Sequence, residues 1–291
     1  MGKTAFAIIG AGKLGSALAY GLTDWGYTLK GVVSRSLASA KALADPFGAA
    51  YSVKGGEMIS QAPVVFITTP DKEIGQVAQE LAEKDLWHAG QYVFHMCGSL
   101  GASVLCPAKE KGAYIGGMHP LKAFAKKGKC DFSGTYFALD GDEQAQQLAG
   151  EMVGHLGGHT FQVPNEARPL YHAAACIASN YTVTLLHWAA SLYEAFGLSQ
   201  QQAVAALLPL VEGSLENIRQ LGTVQALTGP ISRGDETTLA AHLKALQGSE
   251  GHLYALLAQH TLGVAKQKGS LSEEQAAELK QQTEAFINWR K

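Results

Sequence analysis

The chain has 291 residues, 47% of them hydrophobic and 16% charged, with a formal net charge of −2. That composition supplies a sizeable core and excludes intrinsic disorder, and the charge balance lacks the basic footprint of a nucleic-acid partner, although small anionic ligands stay compatible with it. The four cysteines, Cys97, Cys106, Cys130 and Cys176, form no C-x-x-C pair and no zinc spacing with histidines. They read as reduced thiols of a cytoplasmic protein.

The opening run MGKTAFAIIGAG is too short for a signal peptide and flows into a glycine-rich turn, so it reads as a first strand. No apolar window is long enough to span a bilayer. From Thr4 onward strands and helices alternate. AFAIIG is a strand, Ser16 to about Trp25 a helix, TLKGVVS a strand, and SLASAKALAD a helix stopped by Pro46. PVVFITT, QYVFHMC, GAYIGGMHP, GTYFALDG and HTFQV read as further strands. DKEIGQVAQELAEK, with Asp71 as its expected cap, and DEQAQQLAGEMVGHL read as helices. Continuous apolar strands between amphipathic helices predict a parallel sheet covered on both faces. His155 and His159 are four apart, but Gly157 and Gly158 break the helix between them, which excludes a metal pair there.

The first strand runs into Gly10-Ala11-Gly12-Lys13-Leu14-Gly15 and then into a helix. That context turns a weak glycine pattern into a phosphate cradle. Gly10 permits the tight turn, Gly12 lets the backbone approach a pyrophosphate, and Gly15 allows close helix–strand packing, while the helix N-terminus offers free N–H groups. About 20 residues further on, an NAD site places an acid for the ribose 2′-hydroxyl. Here the second strand ends in Ser34-Arg35-Ser36. An arginine between two hydroxyls suits a 2′-phosphate, so NADP(H) is expected over NAD; the competing reading is a solvent-facing arginine that opens a helix. Thr68-Thr69-Pro70 and Cys97-Gly98-Ser99 follow later strands, at the carboxyl edge where open parallel sheets bind ligands. They join the candidate cofactor contacts.

After VPNEARP the strand-like runs vanish. Pro169 to Phe196 reads as one helix of about 40 Å ending at Gly197. Helices around Pro209, then TTLAAHLKALQ, SEGHLYALLAQHTLGVAKQKG and SEEQAAELKQQTEAFINWRK complete the chain, with Ser272 to Gln275 as a start signal. The expected fold is therefore α/β plus all-α. A Rossmann dinucleotide-binding domain spans residues 1–164, and a C-terminal helical domain spans 165–291.

Within the long helix, YHAAACIASNY places His172, Cys176 and Asn180 at every fourth position. At 3.6 residues per turn they form one polar stripe, either satisfied inside a core or lining a site. The loop ALTGPISRGD carries Arg233 and Asp235. Arg233 is a candidate clamp for a substrate carboxylate, with Lys122 as second choice, and Asp235 is a candidate N-cap of the next helix. His119, ahead of Pro120, is either a second proton group or a strand-end residue.

The combination resembles the 6-phosphogluconate dehydrogenase-like superfamily, and within it a branch of bacterial Rossmann-like proteins with a helical C-terminal domain. HMCGSLGASVL, GGMHPLKAF, GTYFALDGD, YHAAACIASNY, LENI and ALTGPISRGD carry the likeness. The resemblance implies an NADP-dependent oxidoreductase of small 2-keto acids such as ketopantoate, with prephenate-type, pyrroline-5-carboxylate-type and deazaflavin-linked oxidoreductases as alternatives. It also implies a homodimer through the helical domain. In the superfamily the long helix carries Lys and Asn four residues apart; Asn180 matches the Asn, but Cys176 stands where the Lys would be. His172 is then the better candidate acid, because an unperturbed imidazole exchanges a proton near neutral pH. The missing Lys also leaves open a non-catalytic NADP-binding sensor.

Overall fold

The structure, a computed structural model, describes residues 4–246 and 248–289. It divides into two compact units, Met1–Val183 and Thr184–Lys291. In the first, the chain order is β1 (Ala5–Ile9), α1 (Lys13–Asp24), β2 (Thr28–Val33), α2 (Leu37–Ala44), β3 (Ala50–Ser52), α3 (Glu57–Ser60), β4 (Val64–Ile67), α4 (Asp71–Glu83), β5 (Tyr92–His95), α5 (Cys106–Lys109), β6 (Tyr114–Pro120), β7 (Tyr136–Gly141), α6 (Glu143–His155), β8 (His159–Gln162) and α7 (Arg168–Cys176).

The strands form one sheet in the order β3-β2-β1-β4-β5-β6-β7-β8. Pairing is parallel from β3 to β6, where helices supply the crossovers. β7 runs antiparallel to β6, with His119 opposite Ala138, because no helix lies between the two strands to return the chain for a parallel register. β8 pairs parallel with β7 after α6.

The alternation of side chains explains the continuous apolar runs. Phe6 and Ile8 of β1, with Val64 and Phe66 of β4, join one core with Leu18, Phe94 and Met152. Ala7, Ile9, Val65 and Ile67 face the other side, in a second core with Ile74, Val93 and Leu105. Full burial of a side chain such as Phe66 (0% exposed) stabilises the fold by about 1.5–3 kcal/mol.

Three expectations need correction. α1 begins at Lys13, not Ser16, because the glycine turn is itself the approach to the helix, with Gly12 at its N-cap. Pro70, not Asp71, occupies the N-cap of α4 and makes no side-chain cap; Asp71 instead puts its carboxylate in the first turn, near the positive end of the helix. β3 and α3 carry no long apolar run, and neither was expected.

The long helix expected over 169–196 is one helical run with mixed geometry. α7 leads into a wide π turn, Ile177–Tyr181, followed by α8 (Thr182–Leu192) and a 3₁₀ turn, Tyr193–Phe196. Gly197 ends it at φ +85°. α9 (Gln200–Gln225) runs straight through Pro209, where two helices were expected, and breaks at Gly222 instead. α10 (Glu236–Ala245), α11 (Gly248–Lys268) and α12 (Glu273–Trp289) follow; the expected end of the last helix at Arg290 and Lys291 lies outside the described residues. Ser272 and Gln275 cap α12 reciprocally at 3.0 and 3.1 Å. Ile231, Leu239, Leu243, Ala258, Leu262 and Leu279 make the core of the second unit. α9 buries only Ala203, and its Leu210, Leu215 and Leu221 are exposed. Among the described residues, no helix is long and apolar enough to cross a membrane.

Candidate active site

The sheet reverses its strand order around β1, with β2 on one side and β4 on the other. A crevice opens at the carboxyl end of such a switch point. Here it is a cavity of ≈ 450 Å³, lined by Gly10, Ala11 and Gly12 after β1, Ser34 and Arg35 after β2, and Thr68, Thr69 and Pro70 after β4. The three glycines of the turn do different work. Gly10 sits at φ +120°, and a Cβ there would stand 2.6 Å from the Thr68 backbone. At Gly15 a Cβ would stand 2.2 Å from the Gly10 carbonyl oxygen and 2.5 Å from Thr68 Oγ1. Gly12 is open, its nearest atom the Thr68 carbonyl oxygen at 4.0 Å, so its missing side chain leaves space on the cavity side. Thr68 Oγ1 donates to the Gly10 carbonyl at 2.7 Å and ties the turn to β4. Thr69 Oγ1 lies enclosed without a hydrogen-bond partner, a polar atom that a bound ligand would satisfy.

Ser39 and Lys54 also line the cavity, as do Glu73 and Glu80 of α4 and Lys84 at its C-cap. Lys54 and Lys84 escaped the sequence reading because each looked like an ordinary surface lysine. Ser36 is used locally: its side chain caps α2 by accepting the Ser39 N–H at 3.3 Å. Lys13 and Leu14 form the first turn of α1.

A second group of residues gathers at the ends of β5 and β6. Cys97 Sγ meets Ser99 Oγ at 3.2 Å, and burial pushes the Cys97 thiol above its usual range. At Gly98 a Cβ would stand 2.8 Å from His119 Cε1 and 2.8 Å from His172 Cδ2. The glycine therefore lets both imidazoles rest on the backbone. Their ring centres lie 6.2 Å apart. Tyr171, the neighbour of His172 on α7, reaches His119 Nδ1 with its hydroxyl at 2.6 Å. Burial, with His172, Arg168 and His95 adding to it and Asp71 opposing, pulls His119 down to about 4. Burial likewise pushes the Tyr171 phenol up to about 12.

Beneath this group lies a buried ion pair. Arg168, 1% exposed, meets Asp140 at 2.5 Å, and Asp140 also accepts the Ala102 N–H at 2.7 Å. The Arg168 guanidinium stands 5.8 Å from the centre of the Tyr171 ring. His95, fully buried, accepts the Cys97 N–H at 3.2 Å, and burial holds it down to about 4.

The structure thus brings His119 and His172 together at Gly98 and adds Tyr171, whose place beside His119 no local spacing records. Cys176 Sγ lies 4.0 Å from His172 Nδ1, and Asn180, one turn on, falls in the π turn and is exposed. Lys122 is exposed and lines a different depression, with Tyr136 and Phe161. In the second unit Arg233 is exposed, and Asp235 caps α10 by accepting the Thr238 N–H at 3.0 Å. His155 meets Tyr27 Oη at 2.9 Å, and His159 packs on the Tyr136 ring. No group of metal-ligating side chains occurs among the described residues.

Comparison with known proteins gives two matching family models. A model of a Rossmann-like domain matches residues 2–120, and a model of a domain of unknown function, DUF2520, matches residues 135–261. No curated protein matches the chain. Among solved structures it is similar to a protein of Bacteroides fragilis described as an NADP oxidoreductase, at 24% identity and a TM-score of 0.72, over 89% of this chain and 98% of that one. A Thermotoga maritima protein is 25% identical with a TM-score of 0.71, over 90% and 99% of the two chains. A pyrroline-5-carboxylate reductase from Coxiella burnetii is 18% identical with a TM-score of 0.61, over 92% and 98%. The fold is shared with all three.

Proposed function

We propose that the chain is an NADP(H)-dependent oxidoreductase that reduces a small carbonyl or imine compound. One observation carries the reading. The cavity at the ends of β1, β2 and β4 joins an open glycine turn to Arg35, Lys54 and the hydroxyls of Ser34 and Ser39, with no carboxylate at the end of β2. The description of the Bacteroides fragilis neighbour as an NADP oxidoreductase supports it.

The residues present fit such a dinucleotide. Gly12 leaves the backbone open to a pyrophosphate, the N-terminus of α1 faces it with free N–H groups, and Thr69 Oγ1 lacks a partner that a ligand would supply. Arg35 and Lys54 supply cationic donors for a 2′-phosphate. When bound, the cofactor supplies hydride. His119 and His172 then hold the substrate oxygen or nitrogen where charge changes, and His172 gives or relays the proton. Asn180 remains the candidate that positions the substrate's carbonyl or hydroxyl, and Arg233, with Lys122 as second choice, the candidate clamp for its carboxylate.

For the substrate, the resemblance to the 6-phosphogluconate dehydrogenase-like superfamily favours a ketopantoate-like 2-keto acid. The Coxiella burnetii neighbour favours the alternative, a pyrroline, which is a cyclic imine. Cys176 in the place of the superfamily Lys favours a third reading, a sensor that binds NADP without turnover. The exposed apolar side chains of α9 support a homodimer through the helical region, and four free cysteines support a cytoplasmic setting. The domain limits remain those proposed, 1–164 for the cofactor and 165–291 for substrate and dimerisation.

The test is NADPH and NADH consumption with ketopantoate, other 2-keto acids and a cyclic pyrroline, alongside a binding titration of both cofactors. Turnover with NADPH supports the reductase and its substrate names the class. Tight NADPH binding with no turnover moves the reading to the sensor. Absence of NADPH binding sinks it.

A further inference from the structure

Two histidines meet at Gly98, and their surroundings differ. His172 is held by α7 alone, near Cys176 Sγ at 4.0 Å. His119 is fixed from two sides. Its backbone belongs to β6, in register with β7, and its Nδ1 lies 2.6 Å from Tyr171 Oη. The Tyr171 ring stands edge-on to it at 86°. Tyr171 is itself held: Phe161 packs on its ring at 5.9 Å and the Arg168 guanidinium lies 5.8 Å from its centre. Arg168 is in turn anchored on Asp140 at 2.5 Å.

A phenol at neutral pH is an O–H donor, and a neutral imidazole has one N–H and one acceptor nitrogen. The short Tyr171 contact fits either sense, the phenol donating to Nδ1 or Nδ1–H donating to the phenol oxygen; in the first, the His119 proton sits on Nε2. A cationic His119 would carry a proton on both nitrogens and would keep the contact only in the second sense, with Tyr171 Oη as acceptor.

Resting on the reductase reading, we propose that Tyr171 is a positioning residue that acts through His119, fixing it as the neutral Nε2–H tautomer. His119 then offers a fixed hydrogen-bond donor at the substrate oxygen or nitrogen and does not exchange protons itself. Proton exchange falls to His172. This divides between two imidazoles the roles that the sequence offered to both.

The groups around His119 agree with this division. Arg168 and His172 on α7 and His95 on β5 disfavour a charge on the ring, and Asp71 on α4 alone opposes them. Tyr171 Oη donates only to a neutral ring.

The experiment is a long-range proton–nitrogen correlation spectrum of the full chain labelled with ¹⁵N-histidine, recorded across pH 5.5–8, with His119→Gln used to assign the signal. The expected wild-type result is a neutral His119 with the Nε2–H pattern throughout. In Tyr171→Phe the same signal shifts to mixed tautomers and titrates at higher pH. Loss of one hydrogen bond that orients the donor lowers kcat by about tenfold, while NADPH affinity, read by titration, stays unchanged. A wild-type His119 protonated on Nδ1, or cationic at pH 7, overturns the proposal. So does a Tyr171→Phe spectrum that keeps the Nε2–H pattern, or a lost pattern with unchanged kcat. If the spectra behave as expected but nothing in the carbonyl and imine panel turns over, the tautomer lock holds and it is the reductase reading that fails.

Discussion

The cofactor cavity and the histidine group lie on one sheet but are built in opposite ways. The glycine turn of the cavity is backbone: Gly10 to Gly15, shaped by what the glycines lack and tied to its neighbours by Thr68 Oγ1 on the Gly10 carbonyl and by the Gly10 N–H on the Val33 carbonyl. The histidine group is side chains: His119 from β6, Tyr171 and His172 from α7, resting on the Gly98 backbone after β5 and standing on a buried Arg168–Asp140 pair. A backbone cradle tolerates varied surroundings, because its donors are the same at every residue. A side-chain group depends on every support beneath it, because each imidazole needs a defined orientation and protonation state. The two regions should therefore fail differently when perturbed.

The largest expected effect is at the support of the histidine group. Arg168→Met leaves the Asp140 carboxylate buried without its cation, a change that costs about 3–5 kcal/mol. Chemical denaturation of the variant measures it. The double variant Arg168→Met/Asp140→Leu should recover most of the loss, since an apolar pair of similar volume is often neutral. A loss below about 1 kcal/mol in the single variant would mean that the pair is dispensable, and that α7 holds its place by apolar packing alone.

This contrast also governs what could be read from the sequence. The glycine turn is local in sequence and Arg35 follows at a fixed remove, so strand, glycine spacing and Arg35 were legible at once. So were the alternation of strands and helices, the caps at Asp235 and Ser272, and the end of the long helix at Gly197. Tyr171 and His119 are 52 positions apart, and Asp140 and Arg168 are 28 apart. No local spacing records either pair. Arg168 stands before Pro169 at a helix start, where a charge normally faces water, yet it is almost fully buried. β3 is a three-residue edge strand with exposed side chains, which leaves no period to detect. The π turn at Ile177–Tyr181 has no signature in IASNY.

The next effect is on acid stability. His95 and His119 are each held down to about 4 in the fold, against an unfolded value of about 6.5. The unfolded chain thus binds more protons between these values, and stability rises with pH through that window. The contribution of each histidine is complete above about pH 6.5 and is lost as pH falls toward 4. The slope approaches about 1.4 kcal/mol per pH unit for each. Denaturant midpoints between pH 4.5 and 7 measure it, and His119→Gln should flatten the curve by one proton while the cofactor cavity stays intact. An unchanged slope in that variant would show that His119 is not held neutral by the fold.

The smallest effect on the fold, and the sharpest test of the cradle, comes from two alanines three residues apart. Gly12 has φ −80° and ψ −169°, ordinary for any residue, and its Cβ would meet nothing closer than 4.0 Å. Gly12→Ala loses a few tenths of a kcal/mol as an N-cap and regains a similar amount from a stiffer unfolded chain. Stability should therefore move by less than about 0.5 kcal/mol. Gly15→Ala has no such room, because its methyl would stand 2.2 Å from the Gly10 carbonyl oxygen. Prying α1 off the sheet costs about 1–3 kcal/mol. Cofactor titration should order the pair the other way. Gly12→Ala puts its methyl where a pyrophosphate would approach the backbone, so NADPH affinity should fall at least about tenfold in a protein that melts like the wild type. If Gly12→Ala binds NADPH normally, the open space at Gly12 is not where the phosphates lie. The cavity would then have to hold its ligand through Arg35, Lys54 and the hydroxyls around them.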